Sequence, residues 1–261
     1  MKKVAIVALS WNKLETTTKL FLDSLYKYTN SELFDLIFVD NASADGSADY
    51  IENFAKDKNN LFLIRNSENA GYSKGNNIGI KHALKGDYQY IGLLNNDILF
   101  TPNWLENVLA CFDKDEQLGI VSTKPQKRMK LNQYNYLDKY QEYLAKSKED
   151  ITYTIDPLFC CAIIKREVFD KIGLLDENFT PAFWEDNDFC FRTMYAGYSL
   201  AHANKAFAYH NHGSTSGSVK SEIFERNKEY FFRKHPLGKW VWENKRTNLI
   251  KDIKKYIKSS F

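Results

Sequence analysis

Short, unbroken apolar runs alternate with stretches of helical periodicity through the first hundred residues. Residues 4–9 form such a run, and its length suits a strand. The spacing predicts a helix over 16–28, then a strand over 36–39 that ends at Asp40. A helix over 48–57, a strand over 61–64, a helix over 75–84 and a strand over 90–94 follow, the last ending in Asn95-Asn96-Asp97. Strands separated by helices in this way imply right-handed crossovers and a mostly parallel, Rossmann-like sheet flanked by helices. Cover on both faces accounts for the lack of polar alternation within the runs.

The second half is less regular. Residues 124–130 read as a basic loop and 134–148 as a polar, Tyr-rich helix. A strand over 159–164 and helices over 166–172 and 189–196 follow. With no repeat, low-complexity tract or Pro/Gly linker, the fold class is α/β. One domain over 1–216 carries a helical, basic C-terminal extension over 217–261.

Composition narrows the class. Hydrophobic residues are 44% and charged residues 26% of the 261, as in a globular chain. No apolar run approaches the ~20 residues of a membrane span, and the run at 4–9 is too short for a signal peptide. Cys111, Cys160, Cys161 and Cys190 lack metal-ligand or redox spacing, which fits reduced thiols in a cytoplasmic protein. A net charge of +3 does not mark a nucleic-acid partner. Residues 217–261 nevertheless hold 12 Lys+Arg against 5 Asp+Glu. There Leu249, Ile250, Ile253, Tyr256 and Ile257 recur at helical spacing among Lys251, Lys254, Lys255 and Lys258. That pattern suits peripheral contact with the inner face of a membrane, or an amphipathic helix docked on its own domain.

Candidate chemistry lies at the strand ends, where open parallel sheets bind ligands. Ser10-Trp11-Asn12 follows the first strand, Asp40-Asn41-Ala42-Ser43 the second, and Asn95-Asn96-Asp97 the fourth. Any one cluster also reads as a cap or turn; all three share one edge. Asp40 can accept from the imide of a pyrimidine. No GxGxxG or P-loop is present, which argues against a nicotinamide dehydrogenase and a P-loop NTPase. A diphosphate then needs basic side chains or a metal, and Asp97 offers a hard oxygen to Mg2+ or Mn2+. The glycines of Asn69-Ala70-Gly71-Tyr72-Ser73-Lys74-Gly75-Asn76-Asn77 permit close backbone approach before a helix N-terminus, or form a plain loop. Trp184-Glu185-Asp186-Asn187-Asp188 places three carboxylates within four residues. Such a cluster raises a pKa, holds a cation or begins a helix. His210 and His212 follow in a polar Gly/Ser stretch.

In this order VAIVALSWN, IFVDNASADGS, NAGYSKGNN, YIGLLNNDILF, FWEDNDFCFRTMYAGY and AYHNHGS resemble the family 2 glycosyltransferases of the GT-A fold. The likeness is to the rhamnosyltransferase-like and galactofuranosyltransferase-like branch and spans roughly residues 4–216. It implies an inverting transfer of a sugar from a UDP- or dTDP-linked donor to a glycan or lipid-linked glycan acceptor. Asp40 matches the base-binding aspartate, and Asp97 the last position of the DxD motif that binds Mn2+ or Mg2+. Asp186, beside Glu185, matches the catalytic base, and His210 the metal-binding histidine, with His212 the alternative. Ser10, Asn12 and Glu15 look like nucleotide contacts. Asn41, Asn69, Gly71, Lys74, Asn76, Asn95, Asn96 and Trp184 complete the expected nucleotide-sugar site. The motif departs from DxD in its first carboxylate, replaced by Asn95. The competing classes are a non-catalytic sugar-nucleotide or glycan-binding module and a nucleotidyltransferase; the latter usually needs a Gly-rich loop after the first strand, which is missing.

Overall fold

The computed structural model describes residues 3–125, 131–157, 159–211 and 221–239. The chain begins with β1 (Val4–Ser10), then a π-helical turn over Leu14–Thr18 that runs into α1 (Lys19–Tyr28). β2 (Phe34–Asp40), α2 (Ser47–Ala55), β3 (Leu61–Arg65), α3 (Gly71–Ala83) and β4 (Tyr90–Asn95) complete the regular half. After it come β5 (Ile98–Phe100), α4 (Trp104–Lys114), β6 (Leu118–Thr123), α5 (Tyr136–Ala145), β7 (Ile151–Thr154) and β8 (Cys161–Lys165). The remainder is α6 (Arg166–Ile172), α7 (Glu185–Tyr195), β9 (Ser199–Ala203), β10 (Ala208–His210) and α8 (Ser221–Lys234).

Eight strands form one sheet in the order β3-β2-β1-β4-β8-β6-β9-β7. The β3-β2-β1-β4 half is parallel, as the spacing predicts. The other half is mixed: β8 runs antiparallel to β4 and β6, β9 parallel to β6, and β7 antiparallel to β9. β5 and β10 pair antiparallel as a separate ribbon. Within β1 the side chains alternate between two cores, as strand geometry requires. Val4, Ile6 and Ala8 pack with Phe21, Leu22 and Leu25 of α1, whereas Ala5 and Val7 face Ile80 of α3.

Two predicted helices start earlier than the pattern suggests. α3 begins at Gly71 rather than at 75, so Gly75 and Gly79 are mid-helix. A Cβ on Gly75 would lie 2.7 Å from Leu9 Cδ1, and one on Gly79 2.4 Å from Val7 Cγ1. These glycines bring helix and sheet together instead of exposing backbone to an anion. α7 begins at Glu185, so the acidic cluster is its first turn, where negative charge suits the helix dipole. The boundary at 216/217, the tail helix over 249–261, His212 and most of the basic loop, 126–130, lie outside the described residues. The described start of the extension, α8, is packed into the core through Phe231. No helix among the described residues is long and apolar enough to cross a membrane.

Candidate active site

Parallel register brings the strand-end residues together. Ser10 lies opposite Asp40, and Leu9 opposite Asn95, so β1, β2 and β4 deliver polar groups to one edge. Asp40 is 2% exposed. Its Oδ1 accepts from Ser10 Oγ at 3.1 Å and its Oδ2 from the Ser43 amide at 2.9 Å. Each oxygen keeps a second lone pair for a ligand. Asn12 donates its amide to Ser43 Oγ and accepts from the Ala44 amide, which locks the β1 and β2 loops together. Between them Trp11, read from the sequence only as part of the Ser10-Trp11-Asn12 cluster, is 45% exposed. Glu15 is an exposed partner of Lys19, and the exposed Lys74 is 3.7 Å from Glu68.

Several expected contacts prove to be internal brackets. Asn41 Nδ2 donates to Asn69 Oδ1 and to the Gly71 carbonyl, while its Oδ1 accepts from Asn66 Nδ2 and the Ala70 amide. Asn76 donates back to the Tyr72 carbonyl within α3. Asn96 is buried, with Nδ2 on Thr17 and Thr18 Oγ1 at 3.2 and 3.3 Å. Trp184 is 3% exposed, its ring against Phe224, Phe231 and Phe232 of α8, which leaves almost no face for a sugar. Residue type alone does not tell whether an amide or an indole faces a ligand or its own chain.

The ribbon places the acid and the imidazole side by side. His210 pairs with Ile98, and the Asn211 amide donates to the Asp97 carbonyl. His210 Nε2 is 3.0 Å from Asp97 Oδ1. Burial opposes a charge on His210, but its hydrogen bonds with Asp97 and Cys160 outweigh burial and push the ring up to about 10. A carboxylate oxygen beside an imidazole nitrogen is a donor set that Mn2+ accepts. No set of three or more His, Cys, Asp or Glu among the described residues is arranged to hold a metal. An ion on this pair therefore needs further oxygen ligands from water or a bound anion.

Tyr72 ties this pair to the acidic helix. Its hydroxyl donates to Asn95 Oδ1 at 3.2 Å. Burial raises its pKa well above the ordinary value, and negative charge at Glu185, Asp186, Cys160 and Asp97 raises it further. Charges from residues far apart in sequence thus act on one phenol. Burial also separates the two carboxylates of α7. Glu185 is pushed well up by burial and by Asp186, and its Oε2 has no hydrogen-bond partner among the described residues. Half-buried Asp186 is pushed up to about 6 by burial and by Asp156, against a 2.8 Å hydrogen bond from the Asn187 amide. Burial thus holds the proton on Glu185 to higher pH than on an ordinary glutamate, and Asp186, at about 6, is a carboxylate at neutral pH. Asp188, 0% exposed, has a structural role: Arg192, Lys234 and His235 surround it at 2.7–2.8 Å.

The chain matches the profile of glycosyl transferase family 2 over residues 5–173. It belongs to that family. A galactofuranosyl glycosyltransferase of Leishmania donovani is 22% identical over 222 residues, covering 70% of this chain and 51% of that protein. The chain spans from 24% to 51% of the length of the curated relatives compared with it. Among solved structures, GalNAc-T7 with UDP, GalNAc and Mn2+ superposes with a TM-score of 0.66 at 18% identity, covering 90% of this chain and 50% of that one. S. aureus TarS 1-349 in complex with UDP-GlcNAc superposes with a TM-score of 0.65 at 18% identity, covering 88% and 65%. These likenesses establish the GT-A glycosyltransferase fold.

Proposed function

We propose that this glycosyltransferase domain transfers a sugar, with inversion, from a nucleotide-diphosphate sugar to a hydroxyl of a glycan or lipid-linked glycan. The observation that carries the reading is that Asp97, paired with His210, and Asp186 both act electrostatically on Tyr72, which is hydrogen-bonded to Asn95 at the edge where Ser10, Asp40 and Asn95 end their strands. The donor's base lies by Asp40 and the exposed Trp11, and its diphosphate lies toward Asp97 and His210. UDP-bound relatives of the same fold support a UDP or dTDP donor. Asp97 and His210 would hold a divalent cation, Mn2+ or Mg2+, which would neutralise charge on a departing diphosphate.

Asp186 is the general base. It takes the proton from the acceptor hydroxyl as the hydroxyl oxygen attacks the anomeric carbon from the face opposite the leaving diphosphate. A carboxylate with a pKa of about 6 is ionised at neutral pH and more basic than a solvated one. Burial and the Asp186 charge both disfavour a second negative charge on Glu185 beside it.

The test starts with a panel of UDP-, dTDP- and GDP-hexoses screened with Mn2+ for a rise in melting temperature. With the best donor, Asp186→Asn is expected to keep that rise but to release nucleoside diphosphate about 10²–10⁴-fold more slowly. Near wild-type release by Asp186→Asn would remove the base assignment. Undiminished release in excess EDTA would remove the cation.

A further inference from the structure

The approach to α7 is held in a costly shape. Phe183 and Trp184 have φ of 78° and 72°, consecutive left-handed positions with no glycine. Such strain persists only where the surroundings over-determine it. Here every carbonyl from 180 to 184 has a donor. Thr180 O accepts from the Arg226 guanidinium and Pro181 O from the Tyr72 amide at 2.8 Å. Asn227 Nδ2 donates to both Ala182 O and Phe183 O, at 2.8 and 3.1 Å. Trp184 O accepts from the Asp188 amide inside α7.

Asn227 is 1% exposed, and its own orientation is fixed. Its Oδ1 accepts from Arg226 Nε and a terminal nitrogen at 3.1 and 2.9 Å, so its amide nitrogen faces the turn. Glu185 and Asp186 are the next two residues after the strained pair. Stability alone would favour glycine at 183 or 184, where it adopts φ > 0 without cost.

We infer that Asn227 is a positioning residue for transfer: from α8 its amide clamps the Ala182 and Phe183 carbonyls and so fixes the turn that aims the Asp186 carboxylate. This rests on the reading of Asp186 as base. The donor-binding residues are held by β1, β2, β4 and the β5–β10 ribbon, so the clamp acts on kcat and not on donor KM.

The experiment uses the full chain, with nucleoside diphosphate release from the donor that most stabilises it with Mn2+ and water as acceptor. Asn227→Leu keeps the volume and removes both donors. Its kcat is expected to fall about 10²-fold, the effect of a displacement near 1 Å, with donor KM within about twofold. The acid limb of kcat against pH, expected near 6 in the wild type, should move toward the ordinary carboxylate range as the turn relaxes and water reaches Asp186. The titratable groups whose charges couple to Asp186 are Glu185 and Cys190 on α7, Asp156 after β7 and Tyr72 on α3, and the substitution changes none of them. Arg226 is exposed. Arg226→Ala therefore leaves the core filled but frees the Asn227 amide to rotate; a loss of about tenfold in kcat with the same limb shift is expected. It decides the matter if Asn227→Leu does not fold. Unchanged kcat in the variant that folds, or kcat and KM worsening together with an unmoved limb, overturns the inference. Active Asp186→Asn instead brings down the base reading, whereas inactive Asp186→Asn beside normal clamp variants brings down the clamp alone.

Discussion

At the scale of single residues, the buried carboxylate of Asp186, the proposed base, works against stability at neutral pH. Its pKa is raised from 3.8 to about 6 in the folded chain, so the native state holds a proton that the unfolded state has lost between those values. Wild-type stability must therefore fall as pH rises from about 4 to 6 through this group. Asp186→Asn is neutral throughout. It should melt higher than the wild type at pH 7–8, by about 2 kcal/mol after allowing for the solvent-facing part of the carboxylate. The gain should vanish below pH 4, where both folded and unfolded wild-type carboxyls are protonated. Equal melting curves at pH 8 would show that burial does not strain this group.

At the scale of elements, α3 shows how a sequence motif can be seen correctly and assigned the wrong physical purpose. Its glycines stand out, but Gly75 and Gly79 face Leu9 and Val7. Gly79→Ala should destabilise the fold by about 1–3 kcal/mol despite alanine's better helix propensity, because β-branched Val7 cannot swing aside. A chemical-denaturation midpoint at or above wild type would contradict that packing. Strands β1, β2 and β4 were legible because burial on both faces makes each a continuous apolar run, and β3, a partly exposed edge strand, keeps an apolar run of four residues. β5 and β10 are three residues long and β7 is a half-exposed four-residue edge, too short for periodicity to register. The same limit hid Tyr72 and Asn227, since nothing local marks a helical tyrosine or asparagine whose partners come from another element. Asp40, Asp97, Asp186 and His210 stand out in the sequence because they end strands or sit in charged clusters, whereas the hydrogen bonds of Asn41, Asn69, Asn76 and Asn96 to their own chain leave no mark in it.

At the scale of the molecule, two elements distant in sequence are joined by buried charge. Asp188 of α7 is surrounded by Arg192 and, from the α8 end, Lys234 and His235, and Lys234 also reaches Asp176. Removing one member of a buried charge network leaves the others uncompensated, at a cost of about 3–5 kcal/mol. Asp188→Ala should lower the melting temperature far more than Asp186→Asn raises it. A melting temperature within a degree of wild type would show that α8 is held by its aromatic contacts alone.

The β5–β10 ribbon has a consequence for biosynthesis. On a ribosome the parallel half, with Ser10, Asp40 and Asn95 at its rim, emerges early and contains the partners for its own pairing. Asp97 must then wait for the strand bearing His210, more than a hundred codons later, and the clamp from Asn227 emerges later still. Translation products interrupted before that point have the strand-end rim but not the paired acid and imidazole, so they are expected to be catalytically silent.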